Sequence, residues 1–282
     1  MKPLTTLQID QFNCDGYLLI KNAFSKEEIE QIRQQVRSVI SREPLDQSAR
    51  YKITVGDLAA KPELAHLTFD PRFIEIAKAI LGPRLVYFGE SNVMIGALSR
   101  GFHRDNADRN SPEGLDWIQP YQVIKFGIYC QDHARHSFGL KVRKGSHLVE
   151  DFIPGKYSDK VGRGKIYNIP SETGDLLVWS FKIAHSANFV RMKFLPSLTL
   201  DPQWEWKIPK ILQLSEERER IVVFNAFGSP DPSLDRYIAY YVKRGDFTEH
   251  WKRSRYDQAL QRQAETLNIE IRRPIPEYGS LT

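Results

Sequence analysis

Phe102-His103-Arg104-Asp105 is the stretch on which the reading of this chain turns, and it makes sense only beside a second histidine, His185, far downstream. A histidine and a carboxylate two positions apart, on a strand or at its exit, project to the same side. A distant histidine brought alongside would complete two imidazoles and one carboxylate, a face that binds Fe(II) and leaves coordination positions open. On these residues alone, the better reading of His103 is a turn histidine and of Asp105 an ordinary loop carboxylate.

Other short patterns surround that stretch in a fixed order. Phe12-Asn13-Cys14-Asp15-Gly16-Tyr17 precedes it. Gly139-Leu140, Gly145-Ser146-His147, Gly174-Asp175-Leu176 and His185-Ser186-Ala187-Asn188 follow, and Arg218-Glu219-Arg220 closes the set. Together they resemble the phytanoyl-CoA dioxygenase family, non-haem iron enzymes that use 2-oxoglutarate, over roughly residues 8–245. The resemblance implies a mainly β fold with flanking helices, a double-stranded β-helix of the cupin-like jelly-roll type, with the iron inside one end. It also implies an Fe(II)/2-oxoglutarate-dependent dioxygenase that consumes O2 and releases succinate and CO2.

Composition is compatible with that expectation. The 282 residues, 41% hydrophobic and 27% charged, suit a globular protein with a substantial core. We expect one domain over 1–282 with an insertion or lid at about 192–216, because the interval from His185 to the strand Ile221-Val222-Val223-Phe224 is long and holds Pro196, Trp204, Trp206 and Pro209. No apolar run has the length of a membrane span, and the N-terminus lacks a basic-then-apolar leader pattern. With only Cys14 and Cys130, a disulfide framework is not expected, and a cytoplasmic setting is. The formal net charge of +5 is mild and gathered into no basic tract, so neither nucleic acid nor membrane is expected as a partner.

Local patterns place the elements. Gly16 introduces a strand to Ile20. Ser25 and Glu28 have capping-box spacing before Ile29, Ile32, Val36, Val39 and Ile40 at helical intervals. Residues 44–60 read as loop. Pro62 opens a helical turn, and a helix starts at Asp70-Pro71 and stops at Gly82-Pro83. Runs beginning at Leu85, Asn92, Val123 and Leu176 are strand-like, as is the alternating Gly139-Leu140-Lys141-Val142-Arg143. Residues 106–119 and 151–173 read as loops, 247–265 as helical, and the tail from Pro274 as irregular.

The resemblance carries roles onto individual residues. His103, Asp105 and His185 would bind iron; His147 competes with His185 but sits in a turn that is structural in the family. His66, His133, His136 and His250 lack the family setting and are expected at the surface or behind the ligands. Arg220, at a strand start, would hold the distal carboxylate of 2-oxoglutarate, since a guanidinium offers a bidentate partner. Its interval from His185 exceeds that of the family, which leaves Arg218 and Arg191 as alternatives. Asn188 and the mid-strand Lys125 are further co-substrate contacts. Asn106, Asp108, Arg109, Trp117, Phe138, Lys141 and Trp179 are candidate substrate contacts, joined at the mouth by Asp116 and Arg143. That set suits a small polar metabolite, in natural-product tailoring. Asp105 favours hydroxylation, because halogenating relatives carry Ala or Gly there. An acyl thioester substrate, a non-catalytic jelly-roll module and a nucleic-acid-directed enzyme are the alternatives.

Overall fold

A computed structural model describes residues 3–42, 52–55, 57–96, 102–106, 116–149, 165–186, 190–200, 202–205, 207–215, 220–243, 251–252 and 254–273. Asp108, Arg109, Asn188, Arg218 and His250 lie outside them. The N-terminal helix α1 (Thr6–Asp15) ends at Gly16, whose φ of 82° suits glycine, and strand β1 (Tyr17–Ile20) follows. Helix α2 (Lys26–Ser41) starts at the Ser25–Glu28 capping box and buries Ile29, Ile32, Val36, Val39 and Ile40. Removing such a cap costs about 1 kcal/mol. Strand β2 (Lys52–Val55) lies where sequence patterning gives loop. Its alternation is too short to stand out, and it is recruited by pairing with β4 (Asn92–Ile95).

Helix α3 (Pro71–Leu81) is capped by Asp70 and stops at Gly82. Strands β3 (Leu85–Tyr87), β5 (Val123–Tyr129) and β6 (Lys141–Arg143) follow, then β7 (Ile166–Asn168), which lies inside the expected 151–173 loop. After β8 (Leu176–Ser180) come the two-residue β9 (His185–Ser186), the short helix α4 (Pro202–Glu205) and β10 (Ile221–Gly228). The C-terminal part holds α5 (Pro232–Val242), α6 (Gln258–Thr266) and β11 (Ile269–Ile271).

These strands form two sheets. The larger has eight strands ordered β1-β8-β5-β10-β3-β11, with β4 also on β10 and β2 on β4; the smaller is β7-β6-β9. Alternation on the large sheet assigns its faces. Ile124, Phe126 and Ile128 of β5 and Ile221, Val223 and Phe227 of β10 join one core with the apolar faces of α2, α3 and α6. Tyr129, Trp179 and Val222 point the other way and pack with Val142 of the small sheet. Gly127 shares this second face, where a Cβ would come within 3.0 Å of the Trp179 ring. With one face given over to helices, the fold is a mixed α/β one rather than mainly β, and the described strands do not trace a closed barrel.

The sequence motifs serve as joints in this frame. The Gly145 amide donates to the Asp15 carbonyl, Ser146 Oγ accepts from the Ala184 amide, and the Phe24 amide donates to Gly174 O. Asp175 accepts from Lys21 Nζ at 2.8 Å and from the Asn22 amide at 3.0 Å. The 192–216 segment leaves the body and returns to it at one place, where Met192 bridges Gln213 and the Leu214 amide donates to Arg191 O. Glu205 of α4 forms a fully buried ion pair with Lys141 and accepts from the Val190 amide.

Asp57 gives a stability prediction. It accepts from the Ala59 amide at 3.0 Å, from Tyr87 Oη at 2.8 Å and from the Tyr256 hydroxyl. Burial pushes its carboxyl from 3.8 up to about 6 despite those donors. A raised folded-state value means the folded protein holds the proton more tightly than the unfolded chain. The contribution is therefore complete below about pH 4 and lost as the pH rises through about 6, an effect of roughly 3 kcal/mol. Denaturant titrations of Asp57→Asn between pH 4 and 7 should show that slope flattened; an unchanged slope removes Asp57 as its source.

Candidate metal centre

His103 and His185 are placed by main-chain bonds. Each donates its amide to the carbonyl of the other, both at 2.9 Å, and the Asp105 amide donates to Phe181 O at 2.8 Å. Two side chains from one short stretch and a third from a segment far downstream thus converge. The imidazole centroids are 4.2 Å apart. Asp105 Oδ1 lies 3.8 Å from His103 Nε2, and Oδ2 lies 3.6 Å from His185 Nε2. One donor atom from each of the three can be chosen so that all lie within 4.8 Å of one another. His185 Nδ1 is 3.0 Å from the Ile183 carbonyl, so it carries the proton and leaves the Nε2 lone pair facing the cluster. Two neutral imidazoles and one carboxylate are the donor set that suits Fe(II).

Electrostatics keep Asp105 anionic. Burial alone would raise its carboxyl, but the Lys125 ammonium, joined by the two histidines while they are protonated in the absence of metal, holds it well below the usual carboxylate range. Lys125 Nζ lies 3.4 Å from Asp105 Oδ2 and 3.1 Å from Glu90 Oε1, and Glu90 also accepts from the Tyr237 hydroxyl of α5. Burial would lower the Lys125 ammonium, yet its two carboxylates raise it on balance. Burial raises the Glu90 carboxyl, with Lys125 pulling it back.

A line of aromatic rings runs from the cluster along the second face. Trp179 is 5.8 Å from His185, Phe224 6.0 Å from Trp179, and Tyr129 6.3 Å from Phe224. Arg220 follows, its guanidinium 5.6 Å from the Tyr129 ring. It is buried, with Nε donating to Phe138 O at 2.9 Å and Nη1 to Gly96 O at 3.0 Å. Phe138 has a φ of 68°, an uncommon backbone state. Trp179 Nε1, Tyr129 Oη and Asn92 Oδ1 are buried polar atoms with no hydrogen-bond partner among the described residues.

Several expected contacts sit differently. Val142 pairs with His185, so the neighbouring Lys141 projects from the opposite face of β6 into its ion pair with Glu205. That orientation turns it away from a substrate role. Lys125 is engaged by Asp105 and Glu90 rather than standing free for a co-substrate. Asn106 Nδ2 donates to Asp116 O at 2.7 Å, bracing the base of the loop, and Asp116 pairs with Arg236 at 2.8 Å. Arg143 stacks 4.5 Å from the Phe102 ring, while the Trp117 ring lies 5.2 Å from the Arg104 guanidinium and 4.9 Å from the Lys182 ammonium. Arg191 binds the carbonyls of Pro196 and His133 at the root of the 192–216 segment.

His133 is buried against Tyr129, where burial and then Arg220 push its imidazole well below its ordinary value. His147 lies 3.0 Å from the Asn13 carbonyl, within the motif joints. Glu90, Tyr129 and Tyr237 had no motif to announce them. The one available signal was Lys125 itself, since a mid-strand ammonium demands a buried anion.

The family model of phytanoyl-CoA dioxygenase matches residues 12–191, more than half of the sequence. The chain belongs to this family. It is an Fe(II)- and 2-oxoglutarate-dependent oxygenase, and the donor set at residues 103, 105 and 185 fits that chemistry. Solved structures share the fold. HygX from Streptomyces hygroscopicus with nickel and 2-oxoglutarate bound superposes with a TM-score of 0.60 at 17% identity, covering 81% of this chain and 88% of that one. The epimerase SnoN from nogalamycin biosynthesis gives 0.55 at 15%, covering 79% and 82%. AviO1 from Streptomyces viridochromogenes Tue57 gives 0.51 at 15%, covering 82% and 97%. No curated protein matches the chain. Among the described residues, no helix is long and apolar enough to cross a membrane.

Proposed function

We propose that this family member hydroxylates an unactivated C–H bond of a small polar natural product, with His103, Asp105 and His185 as iron ligands and Arg220 as the anchor for 2-oxoglutarate. One observation carries the assignment: the three donors and the buried guanidinium lie at opposite ends of one line of aromatic rings on a single sheet face. The unpartnered Trp179 Nε1, Tyr129 Oη and Asn92 Oδ1 on that face support a polar occupant. When bound, iron with 2-oxoglutarate and O2 supplies the oxidising power, yielding succinate, CO2 and the hydroxylated product. The protein's own part is positional. Ile183 fixes the His185 tautomer, Arg220 fixes the co-substrate's far end, and Trp179 and Phe224 keep water from the space between.

In the same reading the two sheets are the walls of a double-stranded β-helix. The 192–216 segment, clamped by Glu205, acts as a buttress, and Trp117 borders the substrate. HygX has been solved with hygromycin B bound and SnoN comes from nogalamycin biosynthesis, which supports polar natural products as the class to try. A carrier-bound acyl thioester is the second reading. It is favoured by one surface: Phe194, Leu195, Leu198, Trp204 and Ile211 are exposed beside Lys193, Lys207 and Lys210, and that segment's described residues expose no carboxylate. The test is anaerobic Fe(II) with 2-oxoglutarate, followed by O2 and a panel of both substrate classes. We expect a weak visible charge-transfer band and succinate formation stimulated by a polar natural product. A band without stimulation by that class, but with stimulation by thioesters, favours the second reading; no band at all overturns both.

A further inference from the structure

Lys125 is an unexpected neighbour for a metal-binding carboxylate. Its ammonium lies 3.4 Å from Asp105 Oδ2, and both side chains are largely buried. The rings of Phe181 and Phe224, 5.5 and 5.6 Å away, cover it on other sides. In such surroundings a fixed cation repels an incoming divalent ion and competes with it for Asp105. Glu90 also lies against the ammonium, at 3.1 Å, and is itself held by the Tyr237 hydroxyl. Glu90 belongs to no motif and, on the distances above, is not one of the three donors.

We propose that Glu90 is a positioning residue for the metal centre: it holds Lys125 so that the ammonium orients Asp105 without neutralising it. Charge counting shows why the position matters. Asp105, Glu90 and Lys125 together carry a net −1; with Glu90 neutral, the same group carries zero, and the three-donor face loses its attraction for a divalent cation. The carboxylate also gives Lys125 a second anion, so Asp105 need not surrender an oxygen to it. Tyr237 extends the chain of contacts to α5, linking the C-terminal helix to the metal face. This inference rests on the assignment of His103, Asp105 and His185 as ligands.

Mn(II) binding followed by loss of the free-ion magnetic resonance signal tests it without turnover, in wild type, Glu90→Gln and Glu90→Gln/Lys125→Met. Glu90→Gln should weaken Mn(II) binding by about 10–100-fold, as replacing partners behind metal ligands does. Removing Lys125 as well should bring affinity back to within about threefold of wild type, because the unbalanced ammonium is gone. A residue needed only for packing would leave the double variant no better than the single one. If Glu90→Gln does not fold, the double variant, which leaves no uncompensated ammonium at this place, remains the test. Wild-type affinity in Glu90→Gln, or weakened affinity in the double variant, overturns the proposal. Failure of the wild type itself to bind Mn(II) would instead overturn the ligand assignment.

Discussion

His185→Ala is expected to abolish Fe(II) and Mn(II) binding and, with it, succinate formation, while the protein remains folded. In the proposed centre the imidazole is one of the three donors found among the described residues, and its Nδ1–H bond to Ile183 has already set the Nε2 lone pair towards Asp105. Loss of a direct donor should exceed the about 10–100-fold cost of losing a partner behind it. The His103–His185 bridge is made by main-chain atoms and survives the substitution, which is why folding should be preserved. His147→Ala is the matched control. It removes a contact to Asn13 O and should cost about 1 kcal/mol of stability with metal affinity unchanged. Metal titrations and thermal melts of the two variants decide the matter; tight binding in His185→Ala, or its loss in His147→Ala, would reverse the assignment.

Arg220→Ala should carry the second large effect, a rise in the 2-oxoglutarate Kd corresponding to about 2–5 kcal/mol. The guanidinium is buried on the same face as the metal cluster, with carbonyls of Phe138 and Gly96 holding it in place. A distal carboxylate would meet a charge already oriented, in a setting of low dielectric. Arg191→Ala should behave differently. Its guanidinium ties Pro196 and His133 at the root of the long excursion, so its loss should lower stability and leave the Kd within about threefold. Titrating the charge-transfer band measures both. An unaffected Arg220→Ala with a weakened Arg191→Ala would show that the long excursion shifts the binding role upstream.

Legibility followed how local each signal was. Ser25 with Glu28, and Asp70-Pro71 with Gly82, announce α2 and α3 because caps and stops are chemical properties of a few neighbouring residues. The helix α5 begins with the same grammar, Asp231-Pro232, yet sequence patterning passed over it; its apolar face is built largely from tyrosines, which read less clearly than aliphatic residues. Strands β2 and β7 are short and borrow their definition from partners distant in the chain. At the centre, residues 103, 105 and 185 were readable because they recur in a pattern. The Lys141–Glu205 pair was not, since strand parity alone does not say which face of a short strand meets the site.

That pair has a consequence for how the protein can change length. The excursion departs and returns between Met192 and Gln213, so its ends are already neighbours and the sheets do not need the intervening residues to stay in register. Variation in loop length is tolerated best where ends are close. Here, however, one residue of the excursion neutralises a lysine in the body, 64 positions away. A shortened chain that discards Glu205 and keeps Lys141 would bury an ammonium that has lost its carboxylate, at a cost of about 3–5 kcal/mol. Trimming this region is therefore a two-position change: an apolar residue such as Met at 141 must accompany any deletion that reaches 205, in an engineered chain or in a natural lineage alike.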